Sequence, residues 1–295
     1  MPYSLVLHCV TANGLLRSED YQGQKALALF LQDLIEKQDT VVAARLHTPK
    51  NSKPFTTAIM LRPVTSGNSY RRQSVEASAE VKLRLTLLDD TLYPLVSQFF
   101  LQHLDGIPLL RLGQTPLLVS RVLATPESGE PWAGCARFAD ILAASSTSET
   151  SWSVQFATPT SFKTGDAELP LPVPRLCFQS WLNSWDEHSS LAFFPDKATR
   201  RAFLSDVVEG CVSVTYSQLR LAQQPFYFDG RRTRAQGFVG TCRFAVRPAK
   251  VAPQHRQILA TLTRYSTYAG TGRKTTMGMG MSRYIEKEQS LCQTT

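Results

Sequence analysis

The stretch YAGTGRKTTMGMGM, residues 268–281, is the most distinctive part of the sequence. It contains two Gly-x-Gly pairs, with two cations and two threonines between them. Glycine adopts left-handed backbone conformations and lets another backbone approach closely. The stretch therefore predicts a mobile loop whose exposed N–H groups and fixed cations suit a phosphate backbone. The candidate phosphate-binding residues are Gly270, Gly272, Arg273, Lys274, Gly278 and Gly280.

This stretch does not match the two best-known nucleotide-binding loops. A Walker A loop places Gly-Lys-Ser/Thr after four spacer residues, whereas no glycine precedes Lys274. A dinucleotide fingerprint needs a third glycine three residues after Gly272, where this chain has Thr275. On spacing alone, a glycine-rich turn with a basic tip explains the stretch as well as a phosphate-binding loop does.

Length and charge favour a two-domain protein with a polyanionic partner. The chain has 295 residues, which is enough for two domains that each have their own core. Its formal net charge of +8 suits nucleic acid, although a basic protein without such a partner is the alternative. The basic residues cluster in or beside predicted loops, at Arg71-Arg72, Arg200-Arg201, Arg231-Arg232, Arg234 and Arg273-Lys274.

Composition also predicts several absences. No apolar run reaches the roughly 18 residues of a membrane span, and no signal peptide opens the chain, so we expect a cytoplasmic protein without a membrane partner. The six cysteines form no Cys-x-x-Cys pair and are expected to be reduced, buried thiols. The five histidines lack metal-ligand spacing, so neither a metal nor a cofactor is expected.

The hydrophobic pattern of the first half alternates strands and helices. It predicts strands at 3–11, 41–47, 55–62, 80–88 and 108–123, helices at 21–38 and 91–104, and a loop at 65–78. Short connections between these elements are typical of a ferredoxin-like α+β sandwich. A turn-rich segment at 125–131 then marks the domain boundary, which divides the chain into 1–128 and 129–295.

The second half repeats this order of elements. It predicts helices at 135–144, 175–187, 195–209 and 253–268, and strands at 152–158, 212–221, 225–229, 236–246 and 281–286, with residues 231–234 at a hairpin tip. The four tryptophans, Trp132, Trp152, Trp181 and Trp185, are expected in the core. The predicted fold is α+β: tandem ferredoxin-like (RRM-like) domains with a glycine-rich loop near the C-terminus.

Several segments, in this order, resemble one known family. The glycine-rich stretch resembles the loop between the last helix and last strand of CRISPR repeat-processing endoribonucleases of the repeat-associated (RAMP) superfamily. The segments FATPTSFK at 156–163 and GFVG at 237–240 resemble that family's second domain. Leu46-His47 with KPFT at 53–56 resembles its first domain. The resemblance covers essentially the whole chain.

The resemblance implies a function. Such enzymes cut CRISPR precursor transcripts within each repeat, usually at the base of a stem-loop, and need no metal. The 2′-hydroxyl attacks the scissile phosphate and leaves a cyclic phosphate and a 5′-hydroxyl. The expected partner is therefore CRISPR repeat RNA, with other subunits of a CRISPR interference complex as further candidates.

The residues offer groups for this chemistry. In-line attack needs proton removal, protonation of the 5′-oxygen and cover for phosphorane charge. His47 can move protons near neutral pH, and Lys53 can return from the same turn as a cation. Many family members place a second histidine, arginine or tyrosine on the first helix. Leu27 stands there in this chain, and Tyr21 is the best remaining candidate.

Further basic residues are candidates for RNA binding, and a protein that only binds RNA is the alternative to an enzyme. Besides the glycine-rich stretch, the cations expected to hold RNA are Lys163, Arg231, Arg232 and Arg234. The departure at Leu27 favours a second hypothesis, a non-catalytic RNA-binding subunit of the same superfamily. An unrelated RRM-like protein would need a Lys/Arg-Gly-Phe/Tyr motif, and the nearest segment, 236–240 (QGFVG), lacks the basic start.

Overall fold

The structure, a computed structural model, describes most of the chain. The described residues are 1–12, 20, 22–48, 52–60, 80–103, 106–228 and 231–286. The predicted loop at 65–78, with its basic pair Arg71-Arg72, lies outside these residues, as does Cys292. The remainder forms two antiparallel sheets, each with its own layer of helices.

Strands of the first sheet form near the predicted positions 3–11, 55–62 and 80–88, whereas the strand predicted at 108–123 is a hairpin of two strands. The strands of this sheet are β1 (Tyr3–Thr11), β2 (Phe55–Met60), β3 (Glu80–Leu87), β4 (Leu109–Leu112), β5 (Thr115–Leu123) and the short β6 (Gly134–Cys135). They lie in the order β2-β3-β1-β5-β4, and β6 pairs with β1. The strands β2-β3-β1-β5 have the ferredoxin-like arrangement, to which the β4–β5 hairpin adds an edge.

Three helices pack on this sheet. They are α1 (Gly23–Leu29), which continues as π-helical turns over Phe30–Glu36, α2 (Thr40–His47) and α3 (Leu92–Leu101). The apolar positions of the predicted helix at 21–38 do face the core, with Phe30, Leu34 and Ile35 fully buried. The helices expected at 21–38 and 91–104 are therefore confirmed.

The strand predicted at 41–47 is wrong, because these residues form helix α2. The Asp39 carboxylate accepts hydrogen bonds from the backbone N–H groups of Val41 and Val42, each at 2.9 Å. This N-cap starts a helix in spite of two valines that favour a strand. Ala43 and Leu46, three residues apart, then bury one helical face while Val41 stays 77% exposed. Capping and packing decide the local structure here.

The second sheet has the same spatial order as the first. Its strands are β7 (Ser151–Thr160), β10 (Ser213–Phe228), β11 (Arg231–Ala245) and β12 (Ser282–Ile285), in the order β10-β11-β7-β12. A separate hairpin consists of β8 (Phe162–Thr164) and β9 (Ala167–Leu169). The helices are α4 (Phe138–Ala143), α5 (Pro174–His188), α6 (Lys197–Ala202), continued as π-helical turns over Phe203–Glu209, and α7 (Pro253–Ala269). The tandem ferredoxin-like fold is therefore confirmed.

The long β10–β11 hairpin differs from its prediction. The two strands expected at 212–221 and 225–229 form one continuous strand, and β11 already begins at Arg231. Arg231 to Arg234 therefore lie within the ladder and not at a free tip, with Arg234 opposite Pro225. The reason is tertiary packing: Phe226 and Ala235 bury their side chains against Met279 of the glycine-rich stretch. That contact keeps residues 231–234, which were predicted as a hairpin tip, in an extended conformation.

The core contains the residues that composition places there. Trp152, Trp181 and Trp185 are at most 1% exposed, and Trp132 lies buried with Met281 between the two sheets. The described cysteines are all free thiols, and Cys9, Cys177 and Cys242 are buried, but Cys135 and Cys211 are partly exposed, so the expectation of burial is wrong for these two. Burial raises the pKa of Cys9 and of Cys242 to about 12, so both thiols stay protonated at neutral pH.

The two halves of the chain meet backbone to backbone. Gly23, the first residue of α1, lies against the Met277 carbonyl and Gly278 of the glycine-rich stretch, and a Cβ at Gly23 would fall 1.5 Å from that carbonyl oxygen. Close by, the Thr57 hydroxyl of β2 donates to the Thr276 carbonyl at 2.7 Å. Since β6 joins the first sheet and α4 packs on the second core, residues near 130–143 contact both halves. The division into 1–128 and 129–295 stays a prediction.

The first testable prediction concerns this backbone contact. Alanine favours a helix over glycine by roughly 1 kcal/mol, yet Gly23→Ala should lower the free energy of unfolding by about 1–3 kcal/mol because its methyl group displaces the loop. Urea unfolding measures the change. Gly106→Ala is the matched control, because a Cβ there meets no atom within 4 Å. A neutral or stabilising Gly23→Ala would show that the two halves do not meet as described.

Candidate nucleic-acid interface

A basic cleft of about 540 Å³ lies between the two halves. Lys53 lines it from the first half, and Lys163, Arg273 and Lys274 line it from the second. Neutral hydrogen-bonding side chains complete the wall, including those of Gln179, Asn183, Thr275 and Thr276. Four cations around one groove make a surface that attracts a phosphate backbone.

The glycine-rich stretch is not the open cradle that the sequence predicts. Most of its N–H groups are satisfied inside the protein. Thr271 N donates to Gly280 O at 2.8 Å, Arg273 N to Ser161 O at 3.1 Å, and Gly280 N to Pro159 O at 3.0 Å. The Gly272 N–H and the Met281 N–H are bonded to the hydroxyls of Ser180 and Thr158. These amides are therefore unavailable to phosphates, and the loop presents side chains instead.

Close packing explains the glycines. Gly272 and Gly280 have φ angles of 80° and 68°, where side chains are strained. A Cβ on Gly272 would lie 2.4 Å from the Ser161 carbonyl oxygen, and one on Gly280 would lie 2.1 Å from that of Thr271. The paired glycine spacing thus lets two backbone segments lie side by side and fixes the intervening basic residues.

The cations of the stretch are held by their surroundings. The Arg273 guanidinium donates to the Glu168 carboxylate of β9 at 2.8 Å, and Glu168 lies opposite Lys163 in the β8–β9 ladder. The Lys274 ammonium sits 4.3 Å from the centre of the Phe226 ring. Partial burial lowers the pKa of Lys274 from its ordinary value; Glu168 opposes that shift and Arg273 adds to it. Lys163, Arg273 and Lys274 therefore form one group beside a single carboxylate.

His47 and Lys53 come together at the end of α2. His47 is the last residue of that helix and is exposed, so its expected surface position is confirmed, although on a helix end and not on a strand end. The Lys53 ammonium donates to the carbonyl oxygens of Leu46, at 2.7 Å, and Thr48, at 2.5 Å. It caps the helix at the two carbonyls that flank His47.

Sequence reasoning missed His188 and Ser52. His188 is the last residue of α5, and its Nε2 atom lies 3.2 Å from the Ser52 hydroxyl. Both line a small pocket of about 150 Å³ with Lys53, Asp89 and Glu187. No spacing connects residues 136 positions apart, so only the packing of α5 against the 52–54 segment brings them together.

Of the remaining candidates, Arg234 alone is described with its side chain. Tyr21 lies outside the described residues, as do the side chains of Arg231 and Arg232. Arg234 is exposed on the hairpin and donates to the Gln223 side chain at 3.2 Å.

In the described part of the chain, no group of three His, Cys, Asp or Glu side chains could hold a metal ion. None of the described helices is long and apolar enough to cross a membrane.

Two ferredoxin-like domains around a basic cleft, with a glycine-rich loop before the last strand, define a RAMP-type protein. The comparison with family models is more specific. The model of the CRISPR Cas6 N-terminal domain matches residues 1–143, and that of the CRISPR-associated endoribonuclease Cas6 matches residues 154–282. The chain belongs to the Cas6 family of CRISPR-associated endoribonucleases, and the family resemblance is confirmed.

Individual relatives agree. A solved Cas6 product complex is 28% identical with a TM-score of 0.77, covering 97% of this chain and 100% of that one. A second structure of that same relative, Thermus thermophilus Cas6, is 27% identical with a TM-score of 0.69, covering 97% of this chain and 98% of that one. The curated Cas6 endoribonuclease of Mycobacterium tuberculosis is 30% identical over 130 residues, or 44% of this chain and 37% of that protein. The one from Streptococcus thermophilus is 27% identical over 149 residues, or 48% and 53%. The matched segments thus span roughly a third to a half of these curated relatives.

The second prediction concerns the Lys53 cap. Lys53→Met keeps the aliphatic stem but removes both hydrogen bonds to the end of α2. The protein should lose about 1–2 kcal/mol of stability, and amide hydrogens of Thr40–His47 should exchange faster with solvent. Hydrogen exchange with mass spectrometry measures this, with the exposed Lys250→Met as control. Equal exchange in both variants would rule out the capping role.

Proposed function

We propose that this protein is a metal-independent endoribonuclease that cuts CRISPR precursor RNA within its repeats by 2′-hydroxyl attack. The observation that carries the proposal is that Lys53, which lines the basic cleft, bonds to the carbonyl groups on both sides of His47. Membership of the Cas6 family makes repeat RNA the expected substrate. A relative 28% identical was solved as a product complex, which supports a product that stays bound.

The cleft suits RNA better than a small anion. A-form RNA hides its base edges in a deep groove, so proteins recognise its shape, phosphates and unpaired nucleotides. The second half of the chain contributes Lys163, Arg273 and Lys274 to the wall of the cleft, and the first half contributes Lys53. RNA seated here spans both halves and passes the end of α2. We propose a repeat stem-loop in this position, with the subunits of an interference complex as later partners.

His47 supplies the proton chemistry in this proposal. The 2′-oxygen attacks the adjacent phosphorus, its proton passes to a base, and the 5′-oxygen leaves with a proton from an acid. A histidine can take either role at neutral pH. Lys53 fixes the backbone around His47 and adds positive charge near the phosphorane. The Arg231 and Arg232 side chains and Tyr21 keep their proposed roles in RNA binding and in catalysis.

One observation favours the alternative of a non-catalytic RNA-binding subunit. Leu27, on the first helix, packs against the core of the first domain, at the place where many members have a second reactive side chain. Such a subunit would bind repeat RNA tightly without cutting it. The cleavage experiment therefore distinguishes the two functions.

The third prediction tests cleavage directly. Purified protein should cut a CRISPR repeat RNA from the same genome equally well with and without EDTA, leaving a 5′-hydroxyl. His47→Ala should slow a single turnover by about 10²–10⁴-fold, the usual contribution of a general acid or base. His255→Ala is the histidine control, since His255 packs against Phe203 in the helical layer of the second half. End mapping of the products gives the cleavage position.

Three outcomes would contradict parts of this proposal. Loss of cleavage in EDTA, with recovery on adding a divalent metal, would refute metal independence. Normal cutting by His47→Ala would refute the site. Tight binding without scission by the wild-type protein would support the RNA-binding subunit instead.

The fourth prediction concerns binding. A Lys163→Ala/Arg273→Ala protein should bind repeat RNA more weakly, and its slope of log K against log[salt] should shrink by about 1.4–1.8 because two phosphate contacts are lost. Glu168→Gln removes the carboxylate that pairs with Arg273 and should tighten binding. Lys250→Ala, outside the cleft, is the matched control. Unchanged affinity and slope in the double variant would exclude these cations from the interface.

A further inference from the structure

We propose that His188 of the second domain is the second acid–base group of the cleavage reaction, acting opposite His47 of the first. This inference rests on the proposed function and supplies the participant that Leu27 leaves missing on the first helix. It comes from a contact between the halves of the chain, the hydrogen bond between Ser52 Oγ and His188 Nε2 at 3.2 Å.

The segment Ser52–Pro54 connects the two histidines. Ser52 contacts His188, and the next residue, Lys53, donates to the carbonyl groups on both sides of His47. His188, Ser52 and Lys53 line one pocket, and Ser52 and Lys53 also line the basic cleft. A strand of RNA in the cleft therefore passes the pocket mouth where His188 lies, next to the end of α2.

The other histidines are engaged elsewhere. His8 Nδ1 bonds to the Glu80 carboxylate at 2.5 Å, and His103 Nδ1 contacts the Phe99 carbonyl oxygen at 2.7 Å. His255 packs edge-on against Phe203. All five histidines of the chain are among the described residues, so His188 is the one that accompanies His47 beside Lys53.

The surroundings assign a role to each histidine. His188 ends the 15-residue helix α5, whose C-terminal carbonyls favour positive charge. The charged groups lining its pocket are Arg45, Lys53, Asp89 and Glu187, and Arg45 is paired with Asp89 at 3.5 Å. At the end of α2, by contrast, the carbonyls of Leu46 and Thr48 already hold the Lys53 ammonium. We therefore assign the role of proton donor to His188.

The two histidines together supply both proton transfers that the cleavage needs. His47 as neutral imidazole accepts the 2′-hydroxyl proton while the bond between O2′ and phosphorus forms. The bond between phosphorus and O5′ breaks, and His188 as imidazolium gives its proton to the departing O5′. The products are a 2′,3′-cyclic phosphate and a 5′-hydroxyl. Exchange of protons with water then resets both histidines, and no further reactant is needed.

A leaving-group substitution tests the assignment. The probe is a synthetic repeat RNA whose scissile 5′-oxygen, once mapped, is replaced by sulfur, a leaving group that needs no protonation. On ordinary RNA, His188→Ala and His188→Gln should each react about 10²-fold more slowly, with unchanged RNA affinity. On the sulfur substrate both should return to within a few-fold of wild type, while His47→Ala stays slow. His188→Gln can still bond to Ser52, so a merely structural role would leave it active on both substrates.

The controls separate this inference from the proposed function. Ser190→Ala, an exposed residue two positions beyond His188, should cut both substrates at the wild-type rate. If wild type cuts the repeat and His188→Ala cuts it equally fast, the assignment of His188 fails and the proposed function stands. Rescue of His47→Ala by the sulfur substrate, or failure to rescue His188→Ala, would also overturn it. A wild-type protein that binds without cutting overturns both.

Discussion

The contact of Gly23 with the Met277 carbonyl is the constraint on which the rest of the structure depends. It brings the first helix of one ferredoxin-like domain against the glycine-rich stretch of the other, at a distance that leaves no room for a side chain. The Thr57–Thr276 hydrogen bond adds a second tie beside it. Because backbone atoms make the contact, the orientation of the two domains is fixed without long side chains, and the cleft between them has a defined shape.

This constraint changes the role of the glycine-rich stretch. Most of its amides are used inside the protein, so in the proposed function it binds RNA through Arg273 and Lys274, which it holds at the cleft. Ser52 and Lys53 lie between the ends of α2 and α5, where Ser52 contacts His188 and Lys53 contacts the Leu46 carbonyl. In the proposed function, binding and chemistry therefore depend on one interface, where the cations of the stretch would attract RNA and the ends of α2 and α5 carry the two proposed histidines.

Much of the fold could be predicted because it follows from local pattern. Alternating apolar residues gave β3, and helical spacing gave α3, α5 and α7 within a few residues. The errors occurred where local signals conflicted with packing. Two valines favoured a strand that the Asp39 cap turns into α2, and residues 231–234, predicted as a hairpin tip, lie in β11, with Phe226 of β10 and Ala235 buried against Met279.

For the candidate site, too, some features follow from the sequence and others only from tertiary packing. The sequence by itself determined the basic character, the glycine-rich stretch and the order of strands and helices behind the tandem ferredoxin-like fold, since these depend on composition, periodicity and short-range motifs. The candidacy of His47 and Lys53 came from the resemblance of their segment to the family. Only the tertiary structure decided that the glycines serve close backbone packing and that Lys53 caps the helix of His47. It alone placed His188 beside Ser52. The physical reason is that contacts between residues more than a hundred positions apart are set by how the two sheets and their helices pack, which no local pattern encodes.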